Sequence, residues 1–297
     1  MTTRTRKKPV ADVELDEAVQ VLFGQLGYKP HREQAIIHSS DVPIKATSGG
    51  EQAGKSLCAS KEFAIHALID DPSAHPEHGT GYSDPLLCWL IGPDYKQTQR
   101  TFGYIVDDLR KLGLPVRASR RVDPGEIVVQ FDGEDKPRIR VETKSGVDVR
   151  KLSMEAPHGI IVDEAGQCDL MIYERAQGRI TPMNGWLMMI GTLEASVGWY
   201  PQVLQSWKIG HPDRRSFELP TPSNLSLFSK GIDDPRFKRL QETSSDEYFL
   251  QRIMGQVVPP RGLVFPEFRP DFHIQDTEWD SSEPLHIWLD PGHGRSN

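Results

Sequence analysis

Residues 49–56 read Gly-Gly-Glu-Gln-Ala-Gly-Lys-Ser, and this octapeptide constrains the fold of the chain more than any other part of it. It matches the pattern G-x-x-x-x-G-K-[ST] in full. A polyphosphate is held by several backbone N–H groups converging on it, and glycines let the backbone curl tightly enough to do so. The arrangement needs a strand before the loop and a helix after it, because the helix N-terminus adds its dipole and its unbonded N–H groups. Both flanks fit. Residues 43–47 (PIKAT) have strand character, and 56–69 carry apolar residues at helical spacing. Lys55 is expected to reach the β- and γ-phosphates, and Ser56 to place its hydroxyl on Mg²⁺. Gly49, Gly50, Glu51, Gln52, Ala53, Gly54 and Leu57 complete the predicted nucleotide-binding segment.

The remaining pattern agrees with an open α/β architecture. Residues 14–25 predict an amphipathic helix, and 32–38 a second one after the turn at Gly27 and Pro30. The apolar run 86–91 (LLCWLI) predicts a buried strand, followed by a helix over 95–112. The alternating runs 127–131 and 139–142 flank the polar stretch DGEDKP and predict a hairpin. Residues 160–163 and 186–190 read as continuous buried strands. Strands separated by helices point to a mostly parallel sheet flanked by helices. Residues 233–256 have weak helical character, 259–270 are Pro-rich, and 285–290 form one more strand candidate.

A second acidic signal complements the first. Residues 159–165 read G-I-I-V-D-E-A. The apolar residues would form a buried strand that delivers two carboxylates to its C-terminal edge, where open α/β sheets bind ligands. Asp163 is then a Mg²⁺ ligand, acting through water, and Glu164 the general base that polarises the attacking water. An Asp-Glu pair favours the ATPase class that inserts a strand between the two motifs over simple kinases. ATP and Mg²⁺ are the expected cofactors.

Composition limits the partners. The 297 residues carry 35 Lys and Arg against 42 Asp and Glu, a net charge of −7, so the chain as a whole is not a basic nucleic-acid wrapper and any such contact must be local. No apolar run approaches the roughly 18 residues of a membrane helix. The three cysteines, Cys58, Cys88 and Cys168, are widely spaced with no CxxC pair, which argues against a zinc site or a disulfide framework.

Taken in order, these motifs resemble the ATPase domain of phage terminase large subunits, a P-loop NTPase of the RecA/ASCE-like kind, from about residue 20 to the end. The resemblance implies further roles. Tyr28-Lys-Pro-His-Arg-Glu-Gln34 is similar to the adenine-reading segment of that family, so that Gln34 would pair with the adenine edge and Tyr28 would stack on it; the same residues also read as an ordinary helix start after Pro30. The run 90–95 (LIGPDY) resembles the segment after the P-loop helix. Ile190-Gly191-Thr192 resembles the coupling motif, which places Thr192 beside the γ-phosphate. Arg150 stands where terminases carry an arginine finger for a neighbouring subunit, although Lys151 follows it here where the family has glycine; it reads equally as a surface charge. Residues 248–254, 262–265 and Phe268 resemble the lid and its exit. Ile287-Trp-Leu-Asp290-Pro-Gly292 resembles the first strand of a ribonuclease-H-like nuclease, with Asp290 as one ligand of a metal pair.

The resemblance therefore implies an ATPase domain over 1–258, a linker over 259–284, and the start of a truncated nuclease domain over 285–297, from which no cutting is expected. It implies double-stranded DNA, a homo-oligomeric ring, a terminase small subunit and a portal protein as partners, and action in the host cytoplasm at the viral procapsid, with no membrane. The alternative is a superfamily-2 helicase-like or other nucleic-acid-remodelling ATPase, which would need a second RecA-like domain. An ATP-dependent scaffold without turnover and a small-molecule kinase are weaker readings, the first because Glu164 supplies a base, the second because of the Asp-Glu pair.

Overall fold

The computed structural model describes residues 13–69, 85–119, 124–147, 152, 155–208 and 211–259. All of them except Pro259 fall within one compact unit that ends at Val258. Its centre is an eight-stranded sheet of order β3-β4-β5-β2-β6-β7-β1-β8. In chain order the strands are β1 (Ile44–Gly49), β2 (Leu86–Gly92), β3 (Val116–Ser119), β4 (Glu126–Val129), β5 (Ile139–Ser145), β6 (Gly159–Val162), β7 (Trp186–Gly191) and β8 (Arg214–Leu219). The six strands from β5 to β8 run parallel, and β3-β4-β5 close one edge antiparallel.

The parallel strands are apolar runs because helices cover both faces of the sheet. Alternation along β2 shows how the two faces are divided. Cys88 and Leu90 point to one side and pack with Phe63 of α3 (Lys55–Leu68) and with Phe102, Ile105 and Leu109 of α4 (Tyr95–Lys111). Trp89 and Ile91 point to the other side, where Ile172 and Ala176 of α5 (Leu170–Ile180) and Tyr200 and Leu204 of α6 (Trp199–Ser206) complete a second core. Cys58, Cys88 and Cys168 are buried thiols within these layers. A third cluster seats α1 (Glu17–Leu26) on α3 through Phe23, Leu26, Ala64 and Ile65. After β8 the chain forms α7 (Pro235–Thr243) and a short helical segment, Asp246–Tyr248, that widens into a π-turn over Phe249–Ile253.

The sequence pattern anticipates β1, β2, β6, β7, α1, α3 and α4 to within a few residues, and α2 (Arg32–His38) as it stands. The hairpin appears as β4 paired antiparallel with β5. Four elements go beyond it, the four-residue β3 (VRAS) being one. α5 and α6 carry Gly178 and Pro201, which blur helical periodicity, and β8 (RRSFEL) is half polar because it is the sheet's edge strand and has a single partner, β1. The strand candidate at 285–290 lies outside the described residues.

Beneath the P-loop, α3 carries a buried ionic cluster. Glu62 accepts from Lys45 Nζ of β1 at 2.6 Å and pairs with His38 Nδ1 of α2 at 2.5 Å, and the far ring nitrogen of His38 meets the Tyr28 hydroxyl at 3.1 Å. Lys45 also donates to the Ile37 carbonyl at 3.0 Å. Burial pushes the Glu62 carboxyl up, but Lys45 and His38 outweigh it and hold it at about 2. A folded value below the unfolded one stabilises the fold above the unfolded value of 4.5, and that contribution is lost as pH falls toward 2. Glu62→Ala, which leaves Lys45 buried without its counter-charge, is expected to cost about 3–5 kcal/mol in urea unfolding at pH 7. The gap to the parent chain should narrow below the unfolded value of 4.5. A cost under about 1 kcal/mol would show that the cluster does not hold α2 and β1 to α3.

Candidate active site: a phosphate cradle at the carboxyl edge of the sheet

β1 ends at Gly49 and α3 begins at Lys55, so residues 50–54 form the loop between them. Gly54 sits at φ +90°, a left-handed conformation that turns the chain into α3. The next strand in the sheet is β7, whose Gly191 is in register with Ser48. This sets Thr192 beside the loop, and Lys55 Nζ donates to Thr192 Oγ1 at 2.7 Å as well as to the carbonyls of Gly49 (3.2 Å) and Gly50 (3.0 Å). β6 lies on the other side of β7, and it delivers Asp163 and Glu164 to the same edge. The Glu164 Oε2 accepts from Thr192 N at 3.4 Å, and Asp163 Oδ1 accepts from Glu164 N at 3.1 Å. Lys55, Thr192, Glu164 and Asp163 therefore form one continuous set of contacts, although they come from three strands remote in sequence.

The electrostatics of this set are tense in a defined direction. Burial raises the Asp163 carboxyl to about 6, and the Glu164 charge adds to that rise while the hydrogen bond from Thr101 opposes it. Burial likewise lowers the Lys55 ammonium, against the pull of Glu164 and Asp163. A divalent cation next to Asp163 would favour its charged form. The oxygen donors available, the Asp163 carboxylate and the Ser56 hydroxyl at the start of α3, suit a hard cation. Among the described residues no cluster of three or more His, Cys, Asp or Glu side chains could hold a metal by itself, so a cation here would need phosphate and water oxygens as further ligands.

The cleft outside the loop has a volume of about 420 Å³ and is lined by residues 51–57 together with Arg100, Tyr104, Glu164, Gln167, Thr192, Glu194, Asn224, Leu227 and Arg252. Ser56 and Leu57 line it, as do Glu51, Gln52, Ala53 and Gly54. Gly49 and Gly50 lie deeper, as acceptors for Lys55. Gln34 is buried behind the loop. Its Oε1 caps His31 N at 3.2 Å and its Nε2 approaches the Gly54 carbonyl at 3.4 Å. Tyr28 is set away from this cleft, edge-on to Phe23 at 4.8 Å and hydrogen-bonded to His38, because its ring fills the gap between α1 and α3. Both side chains are engaged with protein, and neither lines the cleft. Arg150 and Asp290 lie outside the described residues.

Sequence reasoning missed several members of the site. Thr101 of α4 donates to Asp163, and nothing in the helical pattern distinguishes it from a packing threonine. Gln97 donates to Gln167 at 2.9 Å, which donates to Glu194 at 3.1 Å. Arg252 lies within the stretch singled out as lid-like, yet its charge carried no assignment. It pairs with Glu51 at 3.0 Å and with Glu194 at 2.8 Å. The segment bearing it is tied to the loop and to β1, since Glu51 N donates to Arg252 O at 2.8 Å and Ser48 Oγ donates to Gly255 O, while Thr221 Oγ1, from the turn after β8, donates to Glu51 O at 2.6 Å.

A parallel sheet with the phosphate loop after one strand, the acidic pair after another, and β7 between them is the P-loop NTPase fold with an inserted strand. No family model matches the chain. Its sequence is 26% identical over 223 residues to the terminase large subunit of Thermus virus P23-45, a match covering 66% of this chain and 43% of that protein. The chain thus spans less than half the length of this curated relative. The large terminase ATPase domain of Thermus phage P74-26 superposes with a TM-score of 0.62 at 22% identity, over 80% of this chain and 97% of that domain. A large terminase from a thermophilic bacteriophage, solved in complex with ATP-gamma-S, gives 0.56 at 17% identity, over 78% of this chain and 52% of that one. The chain is related in sequence to phage terminase large subunits, and its fold is that of their ATPase domain.

A Cβ on Gly50 would lie 2.1 Å from the Ile253 carbonyl oxygen and 2.3 Å from Thr221 Oγ1. Gly50→Ala is therefore expected to push the 246–255 segment off the loop, seen as faster amide exchange at Glu51 and in 249–255 with little change in the sheet. Unchanged exchange there would show that the segment is not docked on Gly50.

Proposed function

We propose that this chain is the ATP-hydrolysing motor domain of a terminase large subunit, driving double-stranded DNA into a capsid. One observation carries the reading: Lys55, Thr192, Glu164 and Asp163 meet at one edge of a parallel sheet, next to a cleft open to a triphosphate. ATP binding is further supported by the similar large terminase that was solved in complex with ATP-gamma-S.

In this reading the loop N–H groups and the N-terminus of α3 hold the β- and γ-phosphates, and Lys55 exchanges the Gly49 and Gly50 carbonyls for phosphate oxygens. Mg²⁺, held through Ser56 and Asp163, would neutralise charge on the phosphates. Glu164 takes a proton from water as its oxygen attacks the γ-phosphorus and the bond to the β–γ bridging oxygen breaks. Thr192 keeps the Glu164 carboxylate and the Lys55 ammonium in register, so loss of phosphate is felt along β7. Gln34, next to the loop at the Gly54 carbonyl, is the candidate adenine reader and would have to change partners, and Tyr28 would have to leave its packing to stack on the base. Arg150 is the candidate finger into a neighbouring subunit of a homo-oligomeric ring. The small subunit, the portal and the procapsid in the host cytoplasm complete the setting implied by the family resemblance, and residues 1–258 would be the ATPase domain, joined by a linker over 259–284 to a nuclease-like segment bearing Asp290. Among the described residues no helix is long and apolar enough to cross a membrane.

Lys55→Ala is expected to abolish binding of a fluorescent ATP analogue. Glu164→Gln should keep that affinity within about threefold and slow phosphate release by about 10²–10⁴-fold. Turnover by Glu164→Gln close to the parent rate would remove Glu164 as the base, and unaltered nucleotide affinity in Lys55→Ala would remove the cradle.

A further inference from the structure

We propose that Arg252 reads the γ-phosphate, giving up Glu51 and Glu194 to do so, and so couples the triphosphate to the 246–255 segment; this rests on the ATPase reading above. The guanidinium stands between the two segments that frame the phosphate end of the cleft. Glu51 belongs to the loop, and Glu194 follows β7 two residues after Thr192. Charged groups lining the cleft divide evenly: Lys55, Arg100 and Arg252 against Glu51, Glu164 and Glu194. Such a lining admits a polyanion only if cations turn toward it and carboxylates turn away. Glu164 cannot turn away, since it sits half-buried against Thr192 N. Glu51 and Glu194 can, because their side chains are 45% and 39% exposed and reach water by a rotamer change.

The exchange is favourable on chemical grounds. Ion pairs this exposed contribute little, whereas a guanidinium fork on a phosphate makes parallel charge-assisted bonds to a group of higher charge density. It is also mechanically linked. Arg252 O accepts from Glu51 N, and the next carbonyl, Ile253 O, lies against Gly50. The Arg252 side chain therefore changes partners from a backbone that is itself bonded to the loop. Glu194, once released, would leave Gln167 and through it Gln97 of α4. ADP, lacking the γ-phosphate, would leave the acid pair in place.

The test measures affinities of fluorescent ATP and ADP analogues with Mg²⁺ for the full chain, for Arg252→Ala and for Arg252→Lys, with unfolding midpoints recorded alongside. ATP affinity should fall about ten- to hundredfold in Arg252→Ala, while ADP affinity stays within about threefold. Arg252→Lys, which keeps the charge and loses the fork, should lie between. Glu194→Gln should not weaken ATP, since it removes a competitor for the guanidinium. Equal losses for ATP and ADP, or no loss for either, would overturn the proposal while leaving the ATPase reading intact. Absence of nucleotide binding by the parent chain would overturn both. Should Arg252→Ala fail to fold, Arg252→Lys together with Glu194→Gln decides the matter by the same ATP-to-ADP ratio.

Discussion

A single ammonium group organises the site. Lys55 Nζ is held by two loop carbonyls and by Thr192 Oγ1, within the field of the Asp163 and Glu164 carboxylates. Burial disfavours the Lys55 and Asp163 charges, which ease one another across the site, whereas the Glu164 charge eases Lys55 and opposes Asp163. The balance is incomplete, since Asp163 is raised to about 6 and Lys55 is lowered. A site left in that condition favours a ligand that brings both anionic phosphates for the lysine and a cation for the aspartate. In the proposed function, magnesium-bound ATP would supply the phosphates to the lysine and the cation to the aspartate.

The rest of the fold keeps this group in place. Parallel pairing of β1, β7 and β6 fixes the three carriers of the site at the same edge, and register alone sets Thr192 against the loop. On the helical side, the Glu62 cluster locks α3 to β1 and α2, so the helix that begins at Lys55 cannot tilt away from the strand that precedes it. A second buried pair, Lys61 with Asp108 at 2.5 Å, ties α3 to α4, and α4 in turn supplies Thr101 to Asp163. Positional precision at the cradle thus comes from buried ion pairs at adjacent positions of the same helix, about two turns along it.

The cleft's outer wall is of a different character. Arg252, Glu51 and Glu194 are partly exposed, and their contacts are ion pairs between flexible side chains. The backbone bonds that dock the π-turn on the loop are few. A rigid inner cradle with an adjustable outer wall is what a machine needs if nucleotide state is to be transmitted beyond the site, since the transmitting element must have two arrangements close in free energy.

The sequence by itself determined the local chemistry: a phosphate loop at 49–56, an acidic pair at 163–164, and strands and helices around them wherever side chains repeat with a clear period. Those features are local because backbone curl, strand burial and helix phase depend on neighbours along the chain. The tertiary structure alone decided which distant groups meet. Thr101 reaches Asp163 only because α4 packs on β2, the neighbour of β6 in the sheet, Arg252 reaches Glu51 and Glu194 only because the chain returns over the loop after β8, and Tyr28 is set away from the cleft by the packing of α1 on α3. Edge strand β8 was illegible for the same reason, since a strand with one partner need not be apolar throughout. Such pairings follow from how the sheet is ordered and which faces the helices cover, and residue spacing carries no record of either.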